Sequence, residues 1–233
     1  MSRQSLLLIN TATVSGVVGL AQGGEVVTQI PLQLATASNM VLAAIDQVLG
    51  EAGCTLNDVE TVVLVKGPGT FTGSRVGASI AKAIAYATPC SLLSVSTLEA
   101  VAWSGFLIGV THMGRGPVWA LLDARRHEFY VQSFTVCDGA VVSHAESACM
   151  GPGAFDTVRE AGGLAVCAFS QTAVPENQRP REGENVVWLF DVHPSCAGIL
   201  AASAGAQSED PFTLEPLYLR SMEELFDHPK APL

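Results

Sequence analysis

The residues with the clearest chemical potential form a glycine-rich loop that reads KGPGTFTGSRVG from Lys66 to Gly77. The pattern predicts that this loop follows a buried strand and opens a helix, where unpaired backbone N–H groups and the helix dipole attract an anion. Glycine permits close approaches, threonine offers hydroxyl groups, and arginine adds a fixed positive charge. The candidate contacts to a phosphate, a nucleotide or a neighbouring subunit are Gly67, Pro68, Gly69, Thr70, Thr72 and Arg75.

The same loop also has a simpler interpretation. Lys66 precedes the glycines, whereas a Walker loop carries Gly-Lys-Ser/Thr at the start of the helix, so the segment is not a P-loop. A tight connection from a strand to a helix, with glycines that serve only packing, would show the same pattern. Both interpretations stay open on the residues alone.

The histidines and cysteines lack the spacing of a metal site or a redox pair. The five histidines and six cysteines lie apart, without HxxxH, HExxH or CxxC, so we expect no metal site. Six cysteines could form a disulfide framework, but a chain this large and apolar does not need one, which favours a reduced, cytoplasmic protein. No apolar stretch approaches the roughly 20 residues of a membrane span, and the N-terminus is expected to begin a strand.

Composition and net charge exclude some classes of function for this chain. The chain has 233 residues, of which 48% are hydrophobic and 15% charged, and its formal net charge is −10. Such a sequence is too apolar for a disordered regulator and long enough for a substantial core. Because non-specific nucleic-acid affinity comes from Lys and Arg side chains that neutralise phosphates, we expect no autonomous nucleic-acid binding.

Two helices behind these motifs, predicted at 38–51 and 72–87, are apolar around most of their circumference. On the second, a stripe of small residues falls at i, i+4 spacing: Gly73, Gly77, Ala81 and Ala85. This pattern favours a helix-to-helix contact with another subunit, the alternative being that a second lobe covers both helices. The residues predicted to bind a partner are Met40, Val41, Ala44, Gly73, Gly77, Ile80, Ala81 and Ile84.

The chain also repeats a module. The strand ending at Asn10 is echoed 113 residues later by the strand ending at Asp123, and each is followed by a polar turn, a strand, a glycine turn and another strand. Hairpins are common, so coincidence is the alternative. Duplication predicts an N-terminal lobe at residues 1–110, with the loop and partner helices, and a C-terminal lobe at 111–233.

Five segments resemble those of a known family. The loop is similar to Gly-Pro-Gly-Ser-Phe-Thr-Gly-x-Arg-x-Gly, with Thr70 in the Ser place. The other matching segments are Leu8–Thr13, Val95–Leu98, Leu122–Arg125 followed by Glu128–Tyr130, and Pro216–Arg220. In this order they resemble the TsaB (YeaZ) family, a bacterial component of the tRNA threonylcarbamoyladenosine pathway.

The resemblance implies an α/β actin-like ATPase (ASKHA) fold, with two duplicated lobes of mixed sheets flanked by helices. It implies a non-catalytic subunit that supports the catalytic, metal-dependent paralogue TsaD through first-lobe helices, together with the ATPase TsaE. TsaC would act only indirectly, by making threonylcarbamoyl-adenylate. No firmly bound cofactor is implied, although ATP or ADP could sit at the TsaD interface, and a homodimer is expected when TsaD is absent.

Two departures from the family pattern accompany the match. Asn10 stands where the family usually has Asp, and Ala37 where many members have His. The first weakens a claim to independent ATP chemistry. The alternatives left open are a stand-alone ATP-dependent kinase or ATPase of the same fold, with Asp123 as its carboxylate, and a homodimeric peptidase-like protein. The simpler role of Asp123 is to tie its hairpin to Arg125 or Arg126.

Overall fold

The first half of the chain forms a five-stranded sheet with helices on it. The computed structural model describes residues 4–33, 37–109, 116–143, 145–206 and 208–220. The elements in chain order are β1 (Ser5–Asn10), β2 (Ser15–Gln22), β3 (Glu25–Gln33), α1 (Ala37–Glu51), β4 (Thr61–Val65), α2 (Phe71–Ala87), β5 (Ser91–Val95) and α3 (Thr97–Gly109). The strands lie in the order β3-β2-β1-β4-β5, and β1 is antiparallel to β2 and parallel to β4.

The second half repeats this arrangement. Its elements are β6 (Val118–Asp123), β7 (Phe129–Cys137), β8 (Ala140–Ser143), β9 (Ala148–Met150), α4 (Ala154–Ala161), β10 (Gly163–Cys167), β11 (Val186–Leu189) and α5 (Cys196–Ser203). The sheet order is β11-β10-β6-β7-β8, and β6 is antiparallel to β7 and parallel to β10. The expected fold, a duplicated actin-like α/β architecture of mixed sheets flanked by helices, is therefore confirmed. Strand β9, which pairs with β7, was not predicted.

Local sequence signals set the helix ends. Gly53 has φ +67° just after α1, and the Cys54 N–H donates to the Leu49 carbonyl at 3.0 Å, as in a Schellman ending. Helix α3 begins at the sequence Ser96-Thr97-Leu98-Glu99, whose spacing is typical of a capping box, and the Ser96 hydroxyl accepts the Glu99 N–H at 3.0 Å. Both helix ends agree with their sequence signals.

The core has four clusters, one on each face of each sheet. Helices α1 and α2 cover one face of the first sheet, and α5 covers the other, with Ile199 and Ala202 packed against Leu8 and Val63. Helix α3 covers the second sheet and packs on α5, so these two helices form a layer between the sheets. Helix α5 comes from the second half of the chain but packs on the first sheet. The predicted division between residues 110 and 111 lies outside the described residues and stays a prediction.

Two general features accompany this packing. All six cysteines have free thiols, and burial raises the pKa of Cys196 to about 12. None of the helices in the described ranges combines the length and the hydropathy that a membrane span requires.

Candidate functional site

The glycine-rich loop connects β4 to α2 and lies against two other parts of the chain. Gly67 has φ +118°, which side-chain residues rarely adopt, and a Cβ there would lie 2.6 Å from the carbonyl oxygen of Leu217. The Thr70 N–H donates to the Ala12 carbonyl oxygen at 2.7 Å. The loop therefore uses its glycines and one of its N–H groups for packing within the chain.

The candidate ligand contacts of this loop are not brought together on one surface. Gly69 and Thr70 line the cleft between the lobes, whereas Gly67 and Pro68 are buried. Thr72 and Arg75 are exposed on the first turns of α2. The Arg75 Nε donates to the Tyr218 hydroxyl at 3.2 Å, and its guanidinium lies 4.1 Å from the centre of the Phe71 ring.

The stripe of small residues on α2 faces the chain's own first sheet. Gly73 and Gly77 leave room for Thr11, whose hydroxyl donates to the Gly73 carbonyl at 2.7 Å. The structure thus corrects the partner-binding prediction for six residues, which are buried between the helices and the sheet: Val41, Ala44, Gly73, Gly77, Ala81 and Ile84. The close approach that the stripe indicated is real, but the approaching backbone belongs to the same chain.

A different set of apolar side chains points away from the sheet on these two helices. Leu42 is 57% exposed, Tyr86 53% and Met40 46%. Together with the exposed Ala43 and Ala83 and the half-buried Ile80, they form what we call the α1–α2 outer face. Met40 and Ile80, two of the eight residues predicted to bind a partner, belong to this face. The exposed ring of Phe212 extends this face and meets Tyr86 edge-on at 4.7 Å between centroids.

An interlobe cleft of 540 Å³ lies where the first hairpins of the two lobes meet the glycine-rich loop. The residues that line it are Ala12, Thr13, Val14, Gly69, Thr70, Phe71, Leu122, Asp123, Ala124, Arg125, Tyr130, Ala168, Phe169, Ser170, Asp191 and His193. Its walls therefore combine apolar side chains with polar and charged groups from both lobes. Sequence reasoning missed Asp191, His193 and the aromatic residues, because they carry no motif and only the fold brings them together.

The polar groups of the cleft are mostly held by local contacts. The Asp123 carboxylate accepts the Arg125 N–H at 2.7 Å, and the Arg125 guanidinium lies 3.8 Å from its other oxygen. The simpler role proposed for Asp123, tying the hairpin to Arg125, is thus confirmed. The Nδ1 of His193 is buried without a hydrogen-bond partner. Burial lowers the pKa of His193, while the nearby carboxylate of Asp191 opposes this shift.

The described lining of this cleft does not fit the phosphates of a nucleotide. Two carboxylates, Asp123 and Asp191, face a single guanidinium, and that group is already paired with Asp123. Phosphate oxygens would meet net negative charge there. In addition, no three His, Cys, Asp or Glu residues in the described part of the chain lie close enough together to hold a metal ion.

A C-terminal segment contacts both the glycine-rich loop and the hairpin of the second lobe. The sequence indicated it only through the family resemblance of Pro216–Arg220. We call residues 208–220 the C-terminal strap. Its Glu209 pairs with Lys66, at 2.8 Å between Oε1 and Nζ, and accepts a hydrogen bond from Ser94. The bond from Lys66 lowers the pKa of Glu209. Its last described residue, Arg220, reaches the hairpin of the second lobe.

Comparison with known proteins agrees with this architecture. The family model described as "TsaD: tRNA N6-adenosine threonylcarbamoyltransferase" matches residues 34–202, which is most of the chain. The chain therefore belongs to the TsaD family. Within it, the resemblance to TsaB (YeaZ) is confirmed by similarity to a "tRNA threonylcarbamoyladenosine biosynthesis protein TsaB" of Haemophilus influenzae, 35% identical over 130 residues.

The coverage of these matches differs. The match to the Haemophilus protein spans 56% of the chain and 53% of that protein, so the chain spans about half the length of the curated TsaB relatives that it matches. An uncharacterized protein of Mycobacterium tuberculosis is 28% identical over 93% of the chain and 92% of its own length. The structure of YeaZ from Pseudomonas aeruginosa has the same fold, with TM-score 0.77 and 21% identity over 93% of the chain and all of that structure.

Proposed function

We propose that the chain is a non-catalytic subunit in the formation of threonylcarbamoyladenosine in tRNA, and that it binds a TsaD-type catalytic paralogue. The observation that carries this proposal is the α1–α2 outer face. Leu42 and Tyr86 are more than half exposed on neighbouring helices. Contact with a second polypeptide would bury both side chains. Exposed apolar surface on two neighbouring helices typically marks a protein interface.

The kind of partner follows from the fold. A paralogue of the same fold would present an equivalent helix pair, and two copies of one fold can pack these helices around an approximate twofold axis. Tyr86 and Phe212 would serve as aromatic anchors, the residue type that most often dominates interface energies. When the paralogue is absent, the same face would pair two copies of this chain into a homodimer.

Charge supports the division of labour within such a complex. With a net charge of −10, this subunit is poorly suited to hold a tRNA backbone, so the partner would supply the basic surface. The ATPase TsaE would join the assembled pair, and TsaC would contribute only through the threonylcarbamoyl-adenylate that it makes.

A nucleotide at the partner junction is part of the proposal. Thr72 and Arg75 lie exposed at the start of α2, outside the interlobe cleft, and present a hydroxyl and a guanidinium. They are the residues that would contact the phosphates of ATP or ADP there.

Reconstitution tests the function. The chain alone should show no threonylcarbamoyl transfer and no ATP turnover, whereas adding it to a TsaD-type enzyme with TsaE should raise transfer to tRNA well above the rate without it. A rate that is unchanged by folded chain would contradict the accessory role. ATP turnover by the chain alone would favour the stand-alone kinase, and metal-dependent peptide cleavage would favour the peptidase.

Self-association tests the same face without any partner. Sedimentation should show a concentration-dependent dimer, and Leu42→Asp should shift it to monomer. The Gly77→Leu change that the small-residue stripe suggests is unsuitable, because Gly77 contacts Thr11 and Leu64 within the chain. Monomer at all concentrations in the unaltered protein would contradict the homodimer.

A further inference from the structure

The C-terminal strap contacts both walls of the interlobe cleft. We propose that it fixes how far apart the two lobes lie, and that Tyr218 and Arg220 are positioning residues that link the second lobe to helix α2. The consequence for partner binding rests on the proposed function, because α2 carries half of the outer face. The consequence for lobe position does not depend on it.

The strap begins as an addition to the first lobe. Its Ser208 forms a bridge with Leu93 on the edge strand β5, and the Glu209 N–H donates to the Leu92 carbonyl at 2.7 Å. The ion pair with Lys66 then joins the strap to the residue that precedes the glycine-rich loop. Leu214 is 2% exposed within the core beneath α1 and α2. This end is therefore fastened by backbone bonds, charge and burial.

The middle of the strap holds the loop and the first turn of α2. The Leu217 N–H donates to the Lys66 carbonyl at 2.8 Å, and the Leu217 carbonyl occupies the space that a side chain at Gly67 would need. The Tyr218 hydroxyl accepts the bond from Arg75, and its ring lies 5.8 Å from that of Phe71. Phe71 lines the first-lobe wall of the cleft.

The last described residue fastens the strap to the second lobe. The Arg220 side chain is only 9% exposed and forms an ion pair with Glu128. Its guanidinium donates to the Ala124 carbonyl at 2.9 Å and lies 5.9 Å from the Tyr130 ring centre. Tyr130 lines the opposite wall of the cleft. The guanidinium also donates to the Cys149 Sγ on β9 at 3.4 Å. A guanidinium with so little exposure needs such a set of partners, and all of them belong to the second lobe.

The two aromatic contacts define the function of the strap. Tyr218 touches Phe71 on one wall, and two residues later Arg220 touches Tyr130 on the other. Two residues of extended chain span at most about 7 Å, so the strap limits how far the two walls can separate. Release of Arg220 would free the second-lobe hairpin and, through Tyr218 and Arg75, loosen the start of α2.

Hydrogen exchange of the full chain tests this link. In Arg220→Gln we expect exchange at least tenfold faster in the hairpin 124–130 and also in the first-lobe segment 66–75, which Arg220 does not touch. Arg159→Gln is the matched control, because Arg159 is another partly buried arginine, with an ion pair to Glu184 at 2.9 Å inside the second lobe. It should leave 66–75 unchanged.

A second, milder variant keeps the proposal testable if Arg220→Gln does not fold. Tyr218→Phe removes only the hydroxyl that Arg75 contacts, and it should raise exchange in 66–75 by a smaller factor. If folded Arg220→Gln changes exchange only within the second lobe, or if Tyr218→Phe leaves 66–75 unchanged, the strap does not link the lobes and the proposal is overturned.

Partner affinity separates this proposal from the proposed function. Arg220→Gln should weaken binding to a TsaD-type enzyme at least threefold, although Arg220 lies outside the α1–α2 outer face. Equal binding by this variant and the unaltered chain would overturn the effect of the strap on docking. If the unaltered chain does not bind, the proposed function fails, while the exchange experiment still decides the role of the strap.

Discussion

Asn10 and Asp123 hold equivalent positions in the two lobes, at the ends of β1 and β6. Each side chain accepts a hydrogen bond from the backbone N–H two residues further on, at 3.1 Å for Asn10 and 2.7 Å for Asp123. Their surroundings differ, because Asn10 is fully buried and its amide donates to the Thr13 hydroxyl, whereas the Asp123 side chain is 36% exposed. The amide at position 10 is therefore matched to a buried turn, where the second oxygen of a carboxylate would lack a donor.

Replacing this amide by a carboxylate should destabilise the chain. In Asn10→Asp the new oxygen would face Thr13, whose hydroxyl proton is committed to the Ser15 carbonyl at 2.8 Å. We expect a loss of about 2 kcal/mol in the free energy of unfolding at pH 7. Burial would raise the pKa of the new carboxyl, so the loss should shrink as the pH falls towards about 4.

Urea denaturation at several pH values measures this effect, with Asp123→Asn as the control. Asparagine at 123 keeps the oxygen that accepts the Arg125 N–H, so the control should cost less than about 1 kcal/mol. A stable Asn10→Asp protein that turned over ATP would contradict this view of the turn.

The close contact between the loop and the strap makes Gly67 sensitive to substitution. Gly67→Ala would place a methyl group 2.6 Å from the Leu217 carbonyl oxygen, at a φ of +118°. We expect a loss of about 2 kcal/mol or more in thermal or urea denaturation. Gly50→Ala is the control, since Gly50 lies in α1 with open space around it and should gain stability by up to about 1 kcal/mol. Equal effects of the two changes would contradict the packing of the loop.

The ion pair of Lys66 and Glu209 predicts a pH-dependent part of the stability. The pKa of Glu209 is lowered from its ordinary value of 4.5, mainly by the hydrogen bond from Lys66. Its contribution is therefore present above the unfolded pKa and is lost as the pH falls through the lower folded pKa. Glu209→Gln should cost about 1 kcal/mol at pH 7, and the difference should shrink as the pH falls below the unfolded pKa.

Denaturation curves of both proteins from pH 7 to pH 3 check this. Glu176→Gln is the matched control, because the Glu176 side chain is 89% exposed and lies 3.7 Å from Arg179 in water. It should change the stability very little. If the difference in the free energy of unfolding between the unaltered protein and Glu209→Gln grew as the pH fell, this account of the ion pair would be contradicted.

The α1–α2 outer face predicts which surface changes impair binding. Leu42→Asp should lower the affinity for a TsaD-type enzyme at least tenfold, about 1.4 kcal/mol, and leave stability nearly unchanged. Val142→Asp is the control, since Val142 is 46% exposed on β8 of the second lobe. Titration calorimetry measures the affinity of each variant for the TsaD-type enzyme. Equal losses of affinity for Leu42→Asp and Val142→Asp would place the interface elsewhere.

Much of the fold was accessible from sequence because its signals are local. Strand length, glycine turns and the capping box at Ser96 depend on the conformation of neighbouring residues. The repeat from Asn10 to Asp123 predicted the duplicated topology. Burial of the helices was harder to predict. The apolar arc of α2 is wide enough to suggest a partner, but Gly77 faces Thr11 within the chain, and only the fold shows which side of the arc is covered.

The site was less accessible, since its parts come from distant segments. Arg75 has the charge and position of an anion ligand, yet its neighbour Tyr218 is 143 residues away in the chain. The cleft residues His193 and Asp191 carry no motif at all. Their proximity depends on the packing of two sheets, which spacing along one sequence does not encode.

Sedimentation velocity of the chain mixed with a TsaD-type enzyme of the same organism tests the central claim most directly. The account predicts a new boundary at the mass of a one-to-one complex, which Leu42→Asp abolishes and Val142→Asp preserves. Two independent boundaries at tens of micromolar of each folded protein, without the complex, would contradict it.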